Sequence, residues 1–121
     1  MMAPGITYGA IDAYTQVIEP HGELDLATAP DLRAALNAVY DTGKRRIIVD
    51  LGEVPFIDSS GFRVLVAAHN KLVADGGALI VMCSDPLLLR VFDVAGLTQV
   101  FYVVQSRREA IEVAQTDRTT G

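Results

Sequence analysis

At the start of the chain apolar and polar positions alternate. Ile6, Tyr8 and Ala10, then Thr15 and Val17, fall two residues apart, with Asp12-Ala13 between the two runs. That period buries one side of an extended segment, and it predicts an antiparallel pair of strands turning at Asp12-Ala13. From Leu32 the period lengthens. Leu32, Leu36, Val39 and Tyr40 recur at helical spacing behind Thr28, Pro30 and Asp31. These three supply a capping hydroxyl, a residue with no N–H to leave unpaired, and a negative charge suited to a helix start. The spacing predicts a helix over about Ala29 to Asp41, capped by the Thr28 hydroxyl and stopped at Gly43. Arg46 to Leu51 is then a β-branched run, the mark of a central strand covered on both faces.

Phe62, Leu65, Val66, His69, Leu72 and Val73 form the next helical stripe, following Asp58-Ser59-Ser60-Gly61 and ending at Gly76-Gly77. Such a glycine supplies the left-handed residue that commonly closes a helix. Ala78 to Cys83 reads as a second apolar strand. Ser84-Asp85-Pro86 opens a helix over Leu87 to Ala95, and Gly96 ends it. That helix carries Leu87, Leu88, Leu89, Val91, Phe92 and Val94, too many apolar positions for one buried face: either it is covered on both sides, which is the expectation, or part of it is a partner surface. Val100 to Val104 makes a last strand. Ser106 and Glu109 have the spacing of a capping box and open a helix through about Ala114, leaving a polar, frayed tail over 115–121. The order β-β-α-β-α-β-α-β-α calls for right-handed crossovers. It predicts an α/β fold: a mixed, mostly parallel sheet of about five strands with about four helices.

Composition narrows the function. With 121 residues, half of them hydrophobic, the chain is one ordinary domain, with its core over about 5–114. Fifteen acidic residues against ten basic give a net charge of −5, which argues against nucleic-acid binding and against anionic lipid surfaces. A lone cysteine, Cys83, leaves no disulfide framework or thiolate metal cage, and two histidines make no His-rich site, so no metal or cofactor is expected. The first residues lack a secretory signal, and no apolar run approaches the ~20 residues that span a bilayer. A cytoplasmic protein without membrane attachment is the expectation.

Little in the chain suggests catalysis. No G-x-G-x-x-G or G-x-x-x-x-G-K-[ST] loop is present. His69 sits on an apolar helical stripe and reads as a core-edge histidine, so no Ser-His-Asp arrangement stands out. Glu23 with Asp25, and Asp50 with Asp58, could serve acid–base chemistry, but loop acids near helix starts more often stabilise helix dipoles. A phospho-aspartate receiver using Asp50 or Asp58 would need a lysine near the end of the chain, where only Arg107-Arg108 stand. Cys83, among apolar neighbours, reads as a buried strand residue. Asp58-Ser59-Ser60-Gly61 is different. It lies at the carboxyl end of a strand running into a helix, where α/β sheets present their functional edge, and one helix end needs fewer cap-type residues than it offers. A phosphate on Ser59 would suit the helix start while adding about −1.5 to −2 charge toward a docked partner.

These residues resemble the STAS domains, and within them the bacterial anti-sigma factor antagonists. The resemblance runs from about Gly5 to Ala114. It rests on Gly22-Glu23-Leu24-Asp25, Ile47-Ile48-Val49-Asp50-Leu51, Phe56-Ile57-Asp58-Ser59-Ser60-Gly61, Gly76-Gly77, Pro86 and Val91-Phe92-Asp93-Val94-Ala95-Gly96-Leu97. His21 and Phe62 depart from the commoner residues at their positions. The resemblance implies a STAS fold and a non-enzymatic protein. Such a protein binds an anti-sigma factor of histidine-kinase-like ATPase fold and so frees a sigma factor. It implies phosphorylation at Ser59 by that partner with Mg-ATP, loss of binding, and reversal by a separate phosphatase. Glu23, Asp25, Asp58, Ser60, Gly61 and Phe62 would meet the partner, with a hydrophobic patch near Phe62 and Leu26 rimmed by Asp25 and Asp58. The alternative is a non-switching STAS scaffold or a transporter-associated subunit, in which Ser59 is only a cap.

Overall fold

The computed structural model describes residues 5–116. Its elements run β1 (Ile6–Ala10), β2 (Thr15–Pro20), α1 (Ala29–Asp41), β3 (Arg46–Asp50), α2 (Ser59–Ala74), β4 (Ala78–Met82) and α3 (Pro86–Val94). A single 3-10 turn (Leu97–Gln99), β5 (Tyr102–Val104) and α4 (Arg107–Thr116) complete the order. The five strands lie side by side in sequence order. β1 is antiparallel to β2, and every other pair is parallel. This is the mixed, mostly parallel α/β sheet expected.

Strand order explains where the helices go. From β2 to β5 the chain steps always in the same direction, so right-handed crossovers deliver α1, α2 and α3 to one face. Ile47, Val49, Leu79 and Val81 pack there against Leu32, Leu36, Leu65, Leu72 and Phe92. The intervening residues Val17, Ile48 and Ile80 point the other way and are covered by α4 through Ala110 and Ala114. Period-two alternation thus splits one apolar run into two cores.

Some boundaries differ from the sequence reading. α2 begins at Ser59, three residues before the apolar stripe, because Asp58 caps it. β5 is shorter than Val100 to Val104: the Leu97–Gln99 turn intervenes and Phe101 is buried. Gln115 and Thr116, expected in the frayed tail, belong to α4, where Thr116 Oγ1 donates to Glu112 O at 2.6 Å; residues 117–121 lie outside the described ones. Gly76 does close α2 in the left-handed conformation, with φ of +79°. Its neighbour Gly77 answers a different need. A Cβ there would come within 1.9 Å of Arg45 O, so only glycine lets the chain pass β3.

The expectation that α3 is covered on both sides fails. Leu88 and Phe92 are buried, but Leu87 is 75% and Val94 77% exposed, and Val91 is exposed too. A nine-residue helix at the margin of the sheet has only one neighbouring surface, and its other side faces outward.

Candidate functional site

Two loops leave the carboxyl ends of β2 and β3 and run alongside each other. Gly22 N donates to Glu53 O at 3.0 Å, Leu24 N to Phe56 O at 2.9 Å, and Asp58 N to Leu24 O at 3.0 Å. Isolated parallel bridges join His21 to Glu53 and Leu24 to Ile57. Leu24, Val54 and Ile57 anchor the pair by burial. Backbone pairing therefore sets Glu23-Leu24-Asp25 beside Ile57-Asp58-Ser59, although the two motifs are more than thirty residues apart in the chain.

Each aspartate braces its own loop. Asp58 Oδ1 accepts from Ser60 N at 2.8 Å and Gly61 N at 3.3 Å, satisfying donors that a helix start leaves open. Asp25 Oδ1 accepts from Ala27 N at 3.0 Å and Thr28 N at 3.1 Å. The Thr28 hydroxyl was expected to cap α1; it makes no such bond. It donates instead to Glu23 O at 2.6 Å and accepts from Asp25 N at 2.9 Å. With Pro30 in the first turn of α1, the donors in need of partners lie upstream, in the loop, and the hydroxyl turns toward them.

Ser59 is the first residue of α2 and is exposed, whereas Ser60 and Asp58 are half-buried. Gly61 is buried where α2 meets the loops: a Cβ there would lie 2.7 Å from Ile57 Cγ1 and 3.1 Å from Leu24 Cβ. Phe62 is half-buried and edge-on to Phe92, with ring centroids 5.2 Å apart. Leu26 is 78% exposed and Phe56 49%, so large apolar side chains stand in the open on both loops.

Downstream of Ser59 an open groove of about 420 Å³ follows the outer side of α2. Ser59, Phe62, Arg63, Val66, Ala67 and Asn70 line it, with Ala95 and Leu97 opposite. The six α2 positions recur at helical spacing and make a second stripe, offset from buried Val64, Leu65 and Leu72. The sequence reading placed Phe62 and Val66 on the core stripe, and both do pack partly against the core, but it did not see that they also line this groove with Arg63, Ala67 and Asn70. The i, i+4 pairs Ser59/Arg63 and Phe62/Val66 were the available signal.

The other candidate groups are elsewhere. Asp50 is 3% exposed and committed, its Oδ2 accepting from Arg107 Nη2 at 2.9 Å and its Oδ1 from Gly52 N at 2.9 Å. His21 Nε2 lies 2.9 Å from Thr7 Oγ1 and 3.5 Å from Glu19 Oε1. His69 stands edge-on to Phe101, with centroids 5.8 Å apart, and its buried Nδ1 has no hydrogen-bond partner among the described residues. Burial holds its imidazole below the ordinary range. Burial also pushes the Cys83 thiol up, the direction of an inert core cysteine. Among the described residues, no three His, Cys, Asp or Glu side chains gather where they could hold a metal ion. Within the same residues no helix is long and apolar enough to cross a membrane.

Comparison with known proteins agrees with this architecture. The STAS domain family matches residues 10–110. BtrV of Bordetella bronchiseptica, which carries the name of an anti-sigma factor antagonist, is 34% identical over 95 residues, covering 78% of this chain and 82% of its own. The crystal structure of an anti-sigma factor antagonist from Mycobacterium paratuberculosis superposes with a TM-score of 0.80 at 28% identity, covering 95% of this chain and 99% of its own. The phosphorylated form of the Bacillus cell fate determinant SpoIIAA superposes with a TM-score of 0.68 at 27% identity, over 88% of this chain and 96% of its own. The chain belongs to the STAS domain family, among the anti-sigma factor antagonists.

Proposed function

We propose that this protein binds an anti-sigma factor of the serine-kinase type while Ser59 is unmodified, so releasing a sigma factor, and that phosphorylation of Ser59 ends the binding. The observation that carries the reading is the position of Ser59. Its exposed residue stands at the mouth of an apolar groove, next to Asp58 and beside the loop of Asp25. Apolar surface at the centre with charges at the rim is the usual anatomy of a protein interface. Glu23, Asp25, Asp58, Ser60, Gly61 and Phe62 are the proposed contact residues. The relatives named anti-sigma factor antagonists and the phosphorylated SpoIIAA point the same way.

The chemistry follows from the partner's supply of Mg-ATP. Ser59 Oγ attacks the γ-phosphorus, the bond to the β,γ-bridging oxygen breaks, ADP leaves, and the hydroxyl proton passes to a base of the kinase. The product carries about −1.5 to −2 charge at the start of α2. Within the chain that charge meets the positive end of the helix dipole, so the fold is retained. Across a closed interface it must be desolvated beside Asp58, which costs several kcal/mol if no cation answers it. A phosphatase that hydrolyses the ester restores the binding form.

The test is to incubate the protein with each anti-sigma kinase homologue of its own genome and Mg-ATP, and to map phosphate by mass spectrometry. Ser59 should be modified, Ser59→Ala should bind without release by ATP, and Ser59→Asp should fail to bind. Absence of phosphate at residue 59 with every such kinase, or equal binding by both variants, overturns the proposal in favour of a non-switching scaffold.

A further inference from the structure

We propose that Arg63 is the internal partner of a phosphate on Ser59, so that modification withdraws a cation from the groove as well as adding charge at its mouth. This rests on the reading of Ser59 as the phosphoacceptor. The two residues stand four apart on α2 and line the same groove. Helical side chains lean toward the helix N-terminus, so the guanidinium reaches back over the turn that holds Ser59. The order is the favourable one, with the anion N-terminal to the cation. A guanidinium can also offer two parallel N–H groups to phosphate oxygens.

Arg63 is available for this. It is exposed, and among the described residues its side chain has neither a hydrogen bond nor an ion pair, so no existing side-chain contact is broken. Among the described residues it is also the one charged side chain in a groove otherwise walled chiefly by Phe62, Val66 and Leu97. With Ser59 free, the guanidinium can meet a carboxylate carried by the segment that fills the groove. With Ser59 phosphorylated, it is held at the Ser59 end. Phosphorylation then acts twice, by repulsion at Asp58 and by capture of Arg63.

The test uses the full chain with phosphoserine built in at residue 59 during translation, titrated by phosphorus NMR. The other charges to consider are Asp58 beside Ser59, Asp25 on the paired loop, and Arg90 and Asp93 on α3, which meets α2 through Phe92 and Phe62. All are the same in every variant, so Arg63 is read as a difference. The parent should titrate at least about 0.3 unit below Arg63→Gln at low salt, and the gap should shrink at high salt. Arg63→Lys should keep part of it. Arg108→Gln, which removes the same charge from the opposite side of the sheet, should leave the titration where it is. A smaller gap between the parent and Arg63→Gln, or an equal one from Arg108→Gln, overturns the proposal. Because the phosphate is built in, no kinase enters the test. A chain that no kinase modifies would defeat the proposed function while leaving this pairing standing.

Discussion

Arg107 Nη2 donates to Asp50 Oδ2 at 2.9 Å, tying the first residue of α4 to the last residue of β3 across 57 positions of sequence. Asp50 is nearly inaccessible while the Arg107 side chain is half exposed. Only the acid is therefore fully desolvated, and its second oxygen is taken by Gly52 N at the root of the loop leading to Ser59. Removing the arginine leaves a buried carboxylate with one partner. Arg107→Met should lower stability by about 1–3 kcal/mol, read as a lower urea midpoint at unchanged m value. Asp50→Asn in the same background should recover part of the loss.

Gly61 offers a prediction with a contested sign. On propensity alone, alanine in a helix is favoured over glycine by about 1 kcal/mol. Here the new methyl would meet Ile57 Cγ1 at 2.7 Å and Leu24 Cβ at 3.1 Å, both held in place by the paired loops. Overpacking costs about 1–3 kcal/mol, so Gly61→Ala should destabilise, and thermal unfolding should show a lowered midpoint.

How far the site was legible in the chain depends on the kind of signal. The order of elements and the helix count were readable because Ile47 to Val49 and Ala78 to Val81 are unbroken apolar runs between helical stripes. The motif around Ser59 was readable because Asp58 and the glycine behind it are local devices. The groove was not. Val66 and Leu65 are adjacent apolar residues on one helix, and periodicity cannot say that Leu65 is wholly buried while Val66 touches the core and also lines the groove. Nor could it show that Leu24 pairs with Phe56 and Asp58, since backbone pairing between loops leaves no side-chain period.

On α3 the same ambiguity produced the wrong expectation, and the energetics should expose it. Leu87 and Val94 face outward while Phe92 is fully buried between Phe62 and Phe101. Leu87→Ser and Val94→Ser should each change stability by less than about 0.5 kcal/mol. Phe92→Ala should cost about 3–5 kcal/mol. Denaturant titration of the three variants decides between a one-sided and a two-sided helix.

His69 should make stability fall in mild acid. Burial lowers its folded pKa below that of the unfolded chain, near 6.5. Between those two values the unfolded state binds more protons, so stability is complete above about pH 6.5 and declines as pH falls through that value. The lowered carboxyl of Asp12, held down first by the Tyr14 N–H, acts in the same direction but only below about pH 4. Urea midpoints from pH 7.5 down to pH 5.5 should therefore drop in the parent and drop less in His69→Gln. His21, exposed in both proteins, cancels in the comparison.

Asp58 has two roles in this reading, and two substitutions separate them. Its Oδ1 caps α2 through Ser60 N and Gly61 N, a task for any side-chain oxygen of the same reach. Its charge adds a small favourable interaction with the helix dipole and otherwise faces what approaches Ser59. Asparagine keeps the oxygen and discards the charge; alanine discards both. Asp58→Asn should hold stability to within about 0.5 kcal/mol, and Asp58→Ala should lose about 1 kcal/mol. Affinity for the anti-sigma factor should then fall in both variants alike, because the charge is missing from each. If Asp58→Asn binds like the parent, the carboxylate serves the helix alone, and the acidic rim of the interface reduces to Asp25 and Glu23.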